Sequence, residues 1–131
     1  MVALAFFGPR TSAGIDVLIR CLGDPQETPD WRLAALFALE KTNGELEQAL
    51  PVLLEAFRDS KLLGTTNRIV FKTSSAVELF SASFEHYGPR AKAAFPRLLE
   101  LLPKVKDNEI WFVQKALKAI DAQAAAEAGI Q

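Results

Sequence analysis

The chain has 131 residues, the size of one ordinary domain, and 50% of them are apolar, which is enough for a continuous core. Its 15 basic and 16 acidic side chains give a formal charge of −1, which excludes a global field that would attract nucleic acid or anionic lipid. A single cysteine and a single histidine exclude an internal disulfide and the usual zinc ligand sets, and they favour a reducing compartment.

The first seven residues are apolar and end at Gly8-Pro9. They lack a basic n-region and are too short for a signal-peptide core or a membrane span, so we expect a cytoplasmic protein that does not enter membranes. Their similarity to the residues before Gly88-Pro89 indicates that residues 1–8 are part of an incomplete repeat. An exposed apolar end of this kind indicates a truncated chain, self-association or a docking face.

Three segments of the chain, 7–22, 42–57 and 87–102, align without gaps and carry the same apolar stripe. Its positions step as i, i+3, i+4 and i+7, which is the buried face of an amphipathic helix. The aligned residues are Ile15, Leu18, Ile19 and Leu22 in the first segment, Leu50, Leu53, Leu54 and Phe57 in the second, and Phe95, Leu98, Leu99 and Leu102 in the third. The pattern predicts the first helices of three repeated helix pairs.

Proline occupies one column of this alignment in two of the three units, at Pro51 and Pro96, where the first unit has Asp16. Proline is tolerated in the first helical turn but costs about 3 kcal/mol in a helix interior. The main helix is therefore predicted to begin or kink at this column, after the turn at Gly88-Pro89 in the third unit.

A second helical pattern follows each stripe. In the first unit Thr28 can cap a helix whose first position suits Pro29 and which runs to about Lys41. In the third unit Asp107 or Asn108 is the expected cap, after a turn in which Lys104 and Lys106 are interpreted as solubilising residues.

The middle unit is longer than the first by about ten residues. The sequence places the extra residues at Ser60 to Thr66 or in an extended second helix, which is expected to restart near Thr66-Asn67. We predict an all-α fold, an α-solenoid of about three antiparallel helix-pair repeats plus a partial N-terminal repeat, forming one domain over 1–131. Its expected divisions are a partial unit at 1–8, units at about 9–43, 44–88 and 89–122, and a C-terminal tail at 123–131, which is expected to cover the last layer.

The helices themselves carry a family resemblance. ALPVLLEAFRD at 49–59 and AFPRLLELL at 94–102 represent the first helices, and WRLAALFAL at 31–39 and VQKALKAI at 113–120 the second helices. These segments resemble the HEAT-repeat family and its bacterial phycobilisome-lyase-like subgroup. The resemblance covers nearly the whole chain and specifies architecture far better than function.

The resemblance implies that the second helices line the concave side of the solenoid. It also implies that an aspartate in the turn of each repeat pairs with an arginine of the second helix, as Asp24 with Arg32 and Asp59 with Arg68. The third unit departs from this pattern, because no arginine follows Asp107.

The second helices supply the partner-binding candidates, which are Trp31, Arg32, Arg68, Lys72, Trp111, Lys115 and Lys118. Tryptophan is enriched at binding hot spots, but the favoured interpretation is that each tryptophan covers the edge of its own layer. The basic residues predict a groove for an acidic peptide or a phosphate backbone if they share one surface. Structural ion pairs explain them equally well.

Two side chains are candidates for chemistry, and both have structural interpretations. Cys21 lies on a first helix and is expected to be a small buried hydrophobe, and His86 is expected to be a cation or cap at a helix end. We therefore predict no catalytic, metal or cofactor residues and a non-catalytic scaffold that binds a protein partner on its second helices. The alternatives are an accessory or lyase-type enzyme role, taken from the subgroup name, and nucleic-acid binding through the basic groove.

Overall fold

The first pair of helices follows the predicted caps. The computed structural model describes residues 12–41, 48–64, 66–67 and 74–130. Helix α1 spans Ser12–Gly23 and helix α2 spans Pro29–Lys41. The N–H of Trp31 donates to the Thr28 hydroxyl at 3.4 Å, which satisfies a main-chain donor that the helix itself leaves free. The predicted cap at Thr28 and first position at Pro29 are confirmed.

In the middle unit that the sequence predicts, the second helix does not begin where it was expected. Helix α3 spans Leu50–Ala56 and the short helix α4 spans Ser60–Leu63. Strand β1, Thr66–Asn67, then pairs antiparallel with strand β2, Ser74–Ser75, so that Thr66 faces Ser75. The predicted restart of the second helix near Thr66-Asn67 is wrong, because these residues form a strand.

The second helix of this unit, α5, spans Ala76–Tyr87. It begins where Ser75 supplies the cap, since the Ser75 hydroxyl accepts the N–H of Glu78 at 3.2 Å. Helix α5 ends at Gly88, which has φ 59° and whose N–H donates to the carbonyl of Phe84. A glycine adopts this left-handed conformation without the steric cost of a Cβ atom, which confirms the predicted turn at Gly88.

The third unit begins with a 3-10 helix over Gly88–Ala94, which leads into helix α6, Phe95–Leu101. Helices α3 and α6 both begin one residue before their proline, Pro51 and Pro96, so the predicted helix starts at this column are confirmed. A short 3-10 helix over Leu102–Lys104 then ends the first-helix segment.

Helix α7 spans Asp107–Ile120 and helix α8 spans Ala122–Glu127. The cap of α7 is Lys106 rather than the predicted Asp107 or Asn108, because the Glu109 side chain reaches back and accepts the N–H of Lys106 at 3.0 Å. Within the predicted C-terminal tail, α8 packs on α7, and Ala125 and Ile130 are buried in the core.

The helices pack in two series. Helix α1 contacts α2 and α3, and α3 contacts the first 3-10 helix; α2 contacts α5, α5 contacts α7, and α7 contacts α6. The matching stripe residues Leu18, Leu53 and Leu98 are each at most 2% exposed, as predicted for the buried face. The matching residues Ile19, Leu54 and Leu99 are only partly buried and pack against the edge of the core. The described residues form an all-α fold apart from the β1–β2 pair, and none of their helices is both long and apolar enough to cross a membrane.

An aromatic cluster fills the core between the middle unit's two helices. The ring centroids of Phe57 and Phe84 lie 5.0 Å apart in an edge-to-face arrangement, and Phe57 and Phe80 lie 5.3 Å apart. All three rings are fully buried. The cluster therefore joins the turn after α3 to α5.

Candidate partner-binding surface

Trp111 stands in the first turns of α7 with 58% of its surface exposed. It is the one large hydrophobic residue that is exposed among the residues that the structure describes. Its ring meets the edge of Phe112 at a centroid distance of 5.0 Å, and the Nζ of Lys115 lies 4.6 Å from the Trp111 ring centroid. The indole is therefore held by two neighbours while the rest of its surface faces solvent.

Three of the predicted partner-binding residues share one face of α7. Trp111, Lys115 and Lys118 are separated by four and then three positions, a spacing that places side chains on the same side of a helix. Lys115 also forms an ion pair with Glu85 of α5, with Nζ and Oε2 3.3 Å apart, and Lys118 is exposed. We call Trp111, Lys115 and Lys118 the α7 patch.

Acid–base contacts cross between the second helices. Besides the Lys115 pair with Glu85, the Nε2 of His86 lies 3.1 Å from Oε1 of Glu40, which joins α5 to α2. His86 occupies the last turn of α5, as its interpretation as a helix-end residue predicts. The surface formed by α2, α5 and α7 thus carries both signs of charge where the described side chains meet.

Arg32 lies inside the protein. Its Nε donates to the carbonyl of Leu22 at 2.9 Å, and its Nη1 lies 2.8 Å from Oδ2 of Asp59, with only 5% of the Arg32 side chain exposed. The predicted pair of Arg32 with Asp24 is wrong, because the Asp24 carboxylate accepts the N–H of Gln26 in its own turn. Arg32 thus joins α2 to the end of α1 and to the turn after α3, and it presents no charge to a partner.

Trp31 is half-buried and packs against the core, as the layer-edge interpretation expects. Its carbonyl oxygen accepts the thiol of Cys21 at 3.5 Å. Of the remaining candidates, Arg68 and Lys72 lie outside the described residues, as does the predicted pair of Asp59 with Arg68. The structure therefore brings together the α7 patch and separates it from Trp31 and Arg32.

Cys21 is 5% exposed, and burial is the main cause that raises its pKa to about 11, with the negative charge of Glu27 adding to the shift. The thiol is protonated at neutral pH, and a thiol is a poor nucleophile compared with a thiolate. This agrees with the prediction that Cys21 is a small buried hydrophobe.

Two cavities between these elements were not predicted from the sequence. One of about 410 Å³ lies beside α6 and the start of α7 and includes Arg97, Lys104 and Lys106 in its wall. Another of about 520 Å³ lies between α3 and α6, near Pro51 and Pro96. The clustering of Arg97 with the two lysines depends on how the chain turns after α6, and the sequence spacing alone gave no signal for it. Among the described residues, no group of three or more histidine, cysteine, aspartate or glutamate side chains is placed to hold a metal ion.

Comparison with protein-family models, with curated proteins and with solved structures finds no match to this chain. Inference about its function therefore depends on the contacts, burial and charges of the residues described above.

Proposed function

We propose that the protein is a small non-catalytic HEAT-like α-solenoid that acts as a scaffold and binds a protein partner on its second helices, with Trp111 at the centre of the contact. The observation that carries the proposal is that Trp111 is exposed, whereas the other large apolar side chains that the structure describes are buried or partly buried. Tryptophan in such a position is enriched among the residues that dominate binding energy.

The exposed part of Trp111 is large enough to anchor a partner. A tryptophan side chain offers about 200 Å² of surface, so 58% exposure leaves roughly 100 Å² to be covered. At about 25 cal/mol per Å², its burial contributes about 2.5 kcal/mol. The existing contacts with Phe112 and Lys115 restrict the ring before binding, which lowers the entropy lost when a partner covers it.

The charges around Trp111 favour a protein partner over a phosphate backbone. Lys115 is already paired with Glu85, and Lys118 is the member of the α7 patch with no ion pair to a described residue. A mixed-charge rim around an apolar centre is the usual composition of a protein–protein contact. The burial of Cys21 supports a role in which this thiol is not a nucleophile.

The test compares Trp111→Ala with a matched surface variant, Arg58→Ala. Arg58 is 77% exposed and lies in the turn after α3, away from the α7 patch. Proteins captured by the wild-type chain are identified by quantitative mass spectrometry, and the captured partner is then purified and titrated against each variant by calorimetry. We expect Trp111→Ala to weaken binding about sixty-fold and Arg58→Ala to leave it unchanged.

Helicity measured by circular dichroism should be the same for both variants, because neither side chain is buried in the core. If Trp111→Ala captures and binds the same partner with wild-type affinity, the proposal is wrong. Nucleic acid as the captured species, with affinity that falls steeply as salt rises, also contradicts it.

A further inference from the structure

The cavity beside α6 and α7 is lined by both apolar and cationic residues. Its volume of about 410 Å³ is within the range of roughly 300 to 1,000 Å³ of small-molecule sites. The end of α4 and the start of α5 contribute the apolar side chains of Leu63 and Val77, and α6 contributes Leu101. These elements are far apart in the sequence, so the cavity exists only in the folded chain.

The cationic residues are Arg97, Lys104 and Lys106. The Nε of Arg97 is buried and has no hydrogen-bond acceptor among the described residues, while its Nη1 lies 3.5 Å from the largely exposed carboxylate of Glu100. Neither lysine forms an ion pair with a described residue. Arg97 is the partly buried cation of the three, and it also lines the neighbouring cavity between α3 and α6.

One carboxylate, that of Glu109, also lines the cavity. It is 6% exposed, and its Oε1 accepts the N–H of Lys106 at 3.0 Å, so part of its charge is stabilised by the start of α7. Three cations, this carboxylate and the Glu100 carboxylate beside Arg97 leave a net charge of about +1 around the cavity. The electrostatics of the wall therefore favour an anionic ligand.

We propose that this cavity binds an organic phosphate monoester that carries a short apolar substituent. Its phosphate takes about two negative charges near neutral pH and offers several acceptor oxygens to the guanidinium and the two ammonium groups. The apolar substituent lies against Leu63, Val77 and Leu101. This inference is independent of the partner-binding function proposed for the α7 patch, which lies at other residues.

Phenyl phosphate is the test ligand, titrated against the full chain by calorimetry, with inorganic phosphate and phenol as its separate halves. We expect saturable binding of phenyl phosphate, weaker binding of inorganic phosphate and none of phenol. Arg97→Gln should weaken phenyl phosphate about ten-fold, since Arg97 is the partly buried cation. Lys104→Gln should weaken it about three-fold, because Lys104 is exposed and its charge is screened by solvent.

Lys92→Gln is the matched control, because Lys92 is an exposed lysine of the 3-10 helix that does not line the cavity. It should bind phenyl phosphate as the wild type does. Lys104→Gln keeps the test valid even if Arg97→Gln fails to fold, since removal of an exposed charge leaves the core intact.

Three outcomes would overturn the proposal. The first is no saturable binding of phenyl phosphate up to ~10 mM, the weak end of specific affinity. The second is the same affinity in Lys104→Gln and in Lys92→Gln. The third is equal affinity for inorganic phosphate and phenyl phosphate, which would remove the role of the apolar residues and thus the assignment of an organic ligand.

Discussion

Replacement of Arg32 by methionine should lower the free energy of unfolding by about 3 kcal/mol, because the buried Arg32 side chain joins α2 to Asp59 in the turn after α3. The change removes the charged hydrogen bond to Asp59 and leaves the carbonyl of Leu22 without its donor. Loss of one partner of a buried pair costs about 3 to 5 kcal/mol, and the lower end applies because 30% of the Asp59 side chain is exposed and can be rehydrated. Urea denaturation followed by circular dichroism measures the change, with the midpoint expected to fall by about 1.5 M.

Two control variants separate this interpretation from its alternatives. Arg58→Ala removes a pair with Glu55 that is 3.8 Å long and exposed on both sides, so its expected cost is about 0.5 kcal/mol or less. Asp24→Ala should cost about 1 kcal/mol, the value of one hydrogen bond in a turn. If Asp24→Ala were as damaging as Arg32→Met, or if Arg32→Met cost less than about 1 kcal/mol, the pair between Arg32 and Asp59 would not have the stabilising role derived above.

Two further predictions concern the core. Phe84→Ala should cost about 3 to 5 kcal/mol in urea denaturation, because it empties a fully buried site between Phe57 and Phe80, and a loss below about 1.5 kcal/mol would contradict this packing. Cys21 should not react with a disulfide reagent at pH 8 until urea unfolds the chain, and fast labelling of the native protein would show that it is not buried. The pKa of the Cys21 thiol is about 11 in the folded chain and has its ordinary value of 9.0 in the unfolded chain, so the unfolded thiol ionises first as the pH rises. The free energy of unfolding of the wild type relative to Cys21→Ala should therefore fall between these two pH values.

The first helices were the most predictable part of the fold. Their apolar residues follow the helical period over two full turns, and this period is a local property that can be seen directly in the sequence. Leu18, Leu53 and Leu98 therefore lie in the core as expected. The starts at Pro51 and Pro96 were predictable for the same reason, since proline restricts its own backbone and the preceding turn whatever packs around it.

The start of α5 and the partner of Arg32 were not predictable in this way. Thr66-Asn67 has the composition of a helix start, but pairing with Ser74–Ser75 is a contact between separate parts of the chain that no local pattern specifies. Asp24 is eight positions from Arg32 and Asp59 is twenty-seven, so a pattern within one repeat favoured the nearer carboxylate. The packing of α1 on α3 brings the more distant one to the buried guanidinium.

The same difference between local pattern and long-range packing explains why only some of the predicted site residues are exposed. Trp31 and Trp111 have equivalent sequence positions, at the start of a second helical pattern, yet only Trp111 is exposed, whereas Trp31 packs against the core. The basic candidates divide likewise, since Arg32 is buried, Lys115 is paired with Glu85, and Lys118 has no ion pair to a described residue. In the contact that we propose, the binding energy comes mainly from covering the indole, and the charges of the α7 patch act on orientation and specificity more than on affinity.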